Sequence, residues 1–126
     1  MKTWDTQELG TEPHKPEILS SVDGAARVIS IALPAGEALQ EHEVHERAWL
    51  VVIDGEVEVE ADDGTAAGGS GLVAEFGPQE RHEVRATSDA RLLLVLAPWP
   101  GDGHPGSMSL DDKANARERA RERESA

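Results

Sequence analysis

Short apolar runs broken by turn residues occupy this chain over 18–96. The runs are four to eight residues long and rich in valine, isoleucine and leucine, so they predict strands over 17–22, 27–33, 38–44, 48–53, 56–61, 72–76, 82–87 and 91–96. Between them stand Asp23-Gly24, Pro34-Ala35-Gly36, Asp54-Gly55, Asp62-Asp63-Gly64, the glycines of 68–71, Gly77-Pro78 and Ser88-Asp89. Asp54-Gly55, set between two apolar runs, predicts a hairpin closed by a type I′ turn. Evenly spaced short strands of this kind predict an all-β domain, a sandwich or barrel. No spacing suits parallel βαβ units.

Two runs show which face is buried. In Glu56-Val57-Glu58-Val59-Glu60 the valines share one face and the glutamates the other. In His82-Glu83-Val84-Arg85-Ala86 the same alternation places His82 beside Val84 and Ala86, on the inner face.

The ends read differently. Residues 1–16 are polar, with Pro13 and Pro16, and predict an N-terminal arm. The strand-rich domain spans 17–97. Residues 98–108 are dense in proline and glycine, which excludes helix and central strand, and predict an extended segment over the body anchored by Trp99. The charged tail 109–126 is rich in alanine, glutamate and arginine with almost no apolar face, and is expected to be helical or disordered.

Composition narrows the picture. At 126 residues the chain makes one domain with a single modest core. Its aromatics are Trp4, Trp49, Phe76 and Trp99, so the core must be aliphatic. Trp49 is expected either in that core or at a subunit contact. There is no cysteine, hence no disulfide and no thiolate ligand. No apolar run approaches the length needed to cross a bilayer and no signal-peptide pattern is evident, which predicts a cytoplasmic protein. The formal charge is −13. Lys113, Arg117, Arg119, Arg121 and Arg123 in the tail cancel Asp111, Asp112, Glu118, Glu122 and Glu124, so all of this charge falls on 1–108. Such an acidic body repels phosphate backbones and anionic lipid, which argues against nucleic-acid and membrane partners. Arg47 and Arg81 are expected to pair with Glu41, Glu43, Glu80 or Glu83, or to hold a carboxylate substrate.

Two histidine-bearing segments carry the candidate chemistry. The first runs from Gly36 through His42, His45 and Glu46 to Gly55; the second runs from Gly71 to His82. They resemble the two motifs of the cupin superfamily, G-x5-H-x-H-x3,4-E-x6-G and G-x5-P-x-G-x2-H-x3-N. Gly36, His42 and Gly55 match the first, while Val44 fills its second histidine slot, with His45 one place later, and Ala48 fills its glutamate slot. Gly71 and His82 match the second, whose proline, glycine and asparagine slots hold Gly77, Gln79 and Ala86. The resemblance covers roughly 27–97. It implies a single-domain jelly-roll β-barrel with His42 and His82 at metal-ligand positions. The implied cofactor is a divalent transition metal: iron, zinc, nickel, copper or manganese. The implied activities include dioxygenation and isomerisation of small organic molecules, and some relatives only bind.

A divalent transition metal wants at least three protein donors. Strand parity puts Val44, Glu46 and Ala48 on the face of His42. Two sets follow. A bulge near residues 43–44 would swing His45 inward and give His42, His45 and His82. A regular strand would give His42, Glu46 and His82, two imidazoles and a carboxylate as in non-haem iron sites. Glu46 could also orient a histidine from behind. The expected function is therefore a metal-dependent enzyme acting on a small organic molecule, with its catalytic and substrate-binding residues unassigned. The alternative is a metal-free module for binding, sensing or structure. A homodimer is expected, paired through edge strands that would otherwise invite aggregation.

Overall fold

A computed structural model describes residues 1–42 and 45–99, the side chains of 40–42 excepted. The tail, and the extended segment beyond Trp99, lie outside the described residues. The strands are β1 (Glu17–Val22), β2 (Ala26–Leu33), β3 (Ala38–His42), β4 (Arg47–Asp54), β5 (Val57–Ala61), β6 (Gly64–Gly68), β7 (Val73–Phe76), β8 (His82–Ala86) and β9 (Ala90–Ala97). They form two antiparallel sheets, five-stranded in the order β1-β2-β9-β4-β7 and four-stranded in the order β3-β8-β5-β6. The all-β expectation holds for the described residues, and no helix among them is long and apolar enough to cross a membrane.

The two inner faces make the core. Ile29, Ile31 and Leu33 of β2, Leu50 and Val52 of β4, and Leu92 and Leu96 of β9 meet Val57 and Val59 of β5 and Val84 and Ala86 of β8. Each fully buried aliphatic side chain contributes roughly 1.5–3 kcal/mol relative to exposure. The alternation of Glu56 to Glu60 is as expected, with Val57 and Val59 inside and Glu58 and Glu60 exposed.

Two local expectations are corrected. The chain has a strand, β6, where the sequence shows only turn residues and alanines. It is an exposed edge strand paired to β5 from Val57↔Gly68 to Ala61↔Gly64. With nothing to bury, it has no apolar alternation to betray it. Asp54-Gly55, in turn, closes no hairpin. β4 and β5 belong to different sheets, so the dipeptide turns the chain from one layer to the other. A type I′ turn needs positive φ at both central residues, and here only Gly55 has it, at 82°. Gly55 also passes hard against the β8–β9 connection: a Cβ there would lie 2.7 Å from Ala90 Cα and closer still to the Asp89 carbonyl oxygen.

The ends are tied to the five-stranded sheet. In the arm, Pro13 bridges to Ala32, Thr11 Oγ1 and Ser30 Oγ share a 2.8 Å hydrogen bond, and Arg91 Nη1 donates to the Gln7 carbonyl. Trp99 is 1% exposed. Its N–H donates to the Ala25 carbonyl at 3.2 Å, its carbonyl accepts from Gly24 N–H, and the Arg27 guanidinium lies 3.9 Å from its ring centroid. Trp99 is thus the anchor the sequence suggests, held under the β1–β2 turn.

Candidate functional site

His82 opens β8, with β3 on one side and β5 on the other: its backbone pairs with His42 and with Ala61. It points between the sheets, as its alternation with Val84 predicts, and is 4% exposed. Its ring stacks on Phe76, centroids 3.9 Å apart and planes 6° from parallel. Phe76 ends β7 in the opposite sheet, so this stack joins the two layers. His82 Nδ1 stands 3.0 Å from the Glu80 carbonyl oxygen. A carbonyl only accepts, so Nδ1 carries the hydrogen, and in the neutral ring Nε2 presents the lone pair.

A tight turn aims that carbonyl. Glu80 N–H donates to the Gly77 carbonyl at 3.1 Å, and Gly77 N–H returns a bond to Glu80 Oε1 at 2.9 Å. Gln79 takes a left-handed φ of 64° inside it. It fills the slot where the second motif has glycine, and the conformation shows why glycine suits that slot. Gln79 holds it against a Cβ penalty of roughly 1 kcal/mol.

The segment before β4 supplies the other polar group. Glu46 is 4% exposed, on the inner face two residues ahead of the core residue Ala48. His45 is exposed. Of the two candidate third donors, the structure turns Glu46 inward and leaves His45 at the surface. His42 stands opposite His82 in the backbone register, and its side chain is outside the described residues. Among the described residues no three histidine, aspartate or glutamate side chains gather closely enough to hold a metal. Glu46 and His82 are two inward donors, one short of a set of three, and His42 is the remaining donor named from the sequence.

Arg47 is placed otherwise than expected. Arg47 pairs with Glu75 at 2.7 Å, not with Glu41, Glu43, Glu80 or Glu83. Strand parity explains this: Arg47 is on the opposite face from Ala48 and points out over β7, away from the interior. Glu83 is taken by Arg85 at 3.3 Å. Arg81 is exposed and lines a small hollow with Glu60, Asp62 and His82.

The sequence does not single out Phe76 as a site residue, nor the groove beside it. Between the free edges of β6 and β7 opens a groove of about 360 Å³. Val59, Ala61, Ala74 and Phe76 line its inner wall, and Asp63, Glu75 and Glu80 stand at its rim. Phe76 is the one phenylalanine in the chain and lies six residues before His82, which is the only sequence signal that could have marked it. The groove depends on β6, so it could not be foreseen while that strand was missed.

A family model described as a cupin domain matches residues 29–97. Among curated proteins none matches. Many solved structures share the fold. An RmlC-like cupin protein from Desulfovibrio desulfuricans is 25% identical with a TM-score of 0.69, covering 78% of this chain and 97% of its own. A Thermus thermophilus protein is 24% identical at a TM-score of 0.69, covering 79% and 100%. An RmlC-like cupin family protein with a double-stranded β-helix fold, from Methanocaldococcus jannaschii, is 18% identical at 0.66, covering 79% and 93%.

Proposed function

The chain belongs to the cupin domain family, and we propose on that footing that the space between its sheets is a site for a small organic molecule, with His82 and Glu46 as its polar groups. The observation that carries this is His82, an imidazole 4% exposed, flat against Phe76 and held in one tautomer by the Glu80 carbonyl. Burying ionisable groups in an aliphatic interior is costly, and such groups concentrate at functional sites. Beside that stack, a groove of about 360 Å³ lined by Phe76, and not by His82 or Glu46, is of a size that suits a small ligand.

Iron, zinc, nickel, copper or manganese would be held by His82 Nε2, the Glu46 carboxylate and His42. A metal there would supply Lewis acidity toward a carbonyl or enolate, the chemistry of an isomerase- or dioxygenase-type enzyme. The chain's own residues do the rest. The Glu80 carbonyl and the Phe76 ring fix the plane of His82, as groups behind a metal-ligating histidine do. Where Glu46 is not itself a ligand, its carboxylate can hold or pass a proton. The methyl groups of Val59, Ala61 and Ala74 make the wall apolar.

A second reading, a metal-free binding module, is favoured by one observation. The family's glutamate slot holds Ala48, 1% exposed and packed in the core. Elemental analysis by plasma mass spectrometry separates the two readings, on untagged protein and on His82→Ala and Glu46→Gln variants that keep the wild-type circular dichroism. Near-stoichiometric metal that falls at least tenfold in both variants supports the metal site. Metal retained in His82→Ala overturns that ligand assignment. No metal in any sample, even after divalent ions are added back, leaves the binding module.

A further inference from the structure

We propose that the groove between the free edges of β6 and β7 takes a small organic amine, a ligand with an apolar body and a protonated nitrogen. This deepens the reading above, in which the groove beside the Phe76–His82 stack suits a small organic molecule, and rests on it. The floor of the groove comes from the interior. Val59 and Phe76 belong to the core, and Ala61, Leu72 and Ala74 pack against it. Strand parity explains how an edge strand gives such a floor: Ala74 and Phe76 of β7 face in, while Val73 and Glu75 face out. From the other side β6 brings only Gly64, Thr65 and Ala66, which are too small to cover it. At about 360 Å³ the groove lies at the small end of ligand pockets, with room for one ring or a short chain.

Charge selects the head of the ligand. Three carboxylates stand at the rim, and no lysine or arginine is among the described lining residues. They come from three places in the chain: Asp63 from the β5–β6 turn, Glu75 from β7 and Glu80 from the turn ahead of β8. Arg47 meets Glu75 at 2.7 Å and neutralises it, which leaves the head to Asp63 and Glu80. Glu80 is half-buried, and its Oε1 accepts Gly77 N–H at 2.9 Å, so its carboxylate is held at the groove instead of swinging in solvent. One sign of charge over an apolar, low-dielectric wall concentrates the field on whatever enters. A protonated amine is drawn in, whereas a carboxylate on the same body meets like charge. The wall in turn selects against a bare metal ion, which would give up hydration for methyl groups. An organic cation satisfies both surfaces at once.

A second hollow shows the contrast. It encloses about 310 Å³ beside Pro13, Leu33, Pro34 and Ala90, and it sets Asp54 and Asp89 beside Arg91. Its charges serve the fold: Arg91 donates to the Gln7 carbonyl and Asp89 Oδ1 accepts from Ala35 N–H. With both signs present, it favours neither sign of ligand. The groove does, and the body of its ligand lies against Phe76, whose ring also stacks on the buried imidazole of His82.

Titrations of the full chain followed by nuclear magnetic resonance at about pH 7 test it, with probes that share a phenyl body: phenethylamine, phenylacetate and phenethyl alcohol. Phenethylamine should bind at least about tenfold more tightly than phenylacetate, shift the resonances of Val59, Leu72 and Ala74, and weaken in high salt. Asp63→Asn and Glu80→Gln should each lower its affinity by about three- to tenfold. Glu58→Gln, on the outer face of β5, should leave it within about twofold. Asp63 is exposed in a turn, so Asp63→Asn decides even if Glu80→Gln unfolds. If phenylacetate or phenethyl alcohol binds as tightly as the amine, the amine assignment is overturned and the groove stands as a site for another ligand. If no probe shifts the groove residues, the groove and its ligand fall together. The chain's charge of −13 draws cations everywhere. A loss in Glu58→Gln equal to that in the groove variants would therefore trace binding to the acidic body as a whole and overturn the proposal.

Discussion

Gly36 and Gly55 open and close the first histidine segment, and the structure gives them different reasons to be glycine. Their φ values are nearly equal, 83° and 82°. An alanine at either position therefore meets the same left-handed backbone penalty, roughly 1 kcal/mol. The space around them differs. A Cβ at Gly36 meets nothing within 4 Å, whereas at Gly55 it runs into the backbone of Asp89 and Ala90. That backbone is poorly placed to yield, because Asp89 Oδ1 accepts from Ala35 N–H at 2.9 Å and Ser88 Oγ accepts from Glu56 N–H at 2.9 Å. Overpacking of this kind adds about 1–3 kcal/mol. Gly36→Ala should thus lower stability by about 1 kcal/mol and Gly55→Ala by about 2–4 kcal/mol. Urea unfolding followed by circular dichroism measures both. In a thermal melt the difference amounts to about 4–8 °C for each 1 kcal/mol in a domain of this size. If the two variants agree to within about 0.5 kcal/mol, the β8–β9 connection gives way freely and the steric argument is wrong.

Other expectations follow from single contacts. Gln79→Gly, which relieves the φ of 64° beside His82, should raise stability by up to about 1 kcal/mol; a fall in melting temperature would show that Gln79 is held by something more than its turn. Trp99→Ala should cost about 3–5 kcal/mol, since the ring is 1% exposed and covered by Arg27; a loss under about 1 kcal/mol in chemical denaturation would contradict its anchoring role. Ser30 is 4% exposed and bonded to Thr11, so Ser30→Ala and Thr11→Val should each destabilise by about 1–3 kcal/mol while the double variant loses less than their sum, and strict additivity in the cycle would mean the hydroxyls act separately. Arg47→Ala, breaking a half-exposed ion pair with Glu75, should cost under about 1 kcal/mol, and the cost should shrink in high salt.

What the sequence made legible was whatever alternates against a core. Seven of its eight strands match observed strands to within a residue or two, and the inward turn of His82 follows from Val84 and Ala86. The eighth, 38–44, is observed as far as His42. Partnering was not legible. Asp54-Gly55 has the residues of a hairpin, yet β4 pairs with β7 and β9 while β5 pairs with β6 and β8, and local turn chemistry carries no information about which layer comes next. β6 escaped because Gly64-Thr65-Ala66-Ala67-Gly68 buries nothing and is held by its backbone bonds to β5. At the site, parity identified Glu46 as an inward candidate and the structure buries it, whereas the Phe76 stack joins residues of opposite sheets and has no local signature.

The placement of β9 has a consequence for how the protein is made. The last described strand in sequence, Ala90–Ala97, sits in the middle of the five-stranded sheet with β2 on one side and β4 on the other. As the chain grows from its N-terminus, β2 and β4 emerge first and remain unjoined, each with a bare edge and an apolar inner face, until residue 97 has been added. Central pairing between segments so distant is intrinsically slow. The vulnerable moment for this protein is therefore during its synthesis, when a nascent chain halted short of β9 displays sticky, half-built strands to its neighbours.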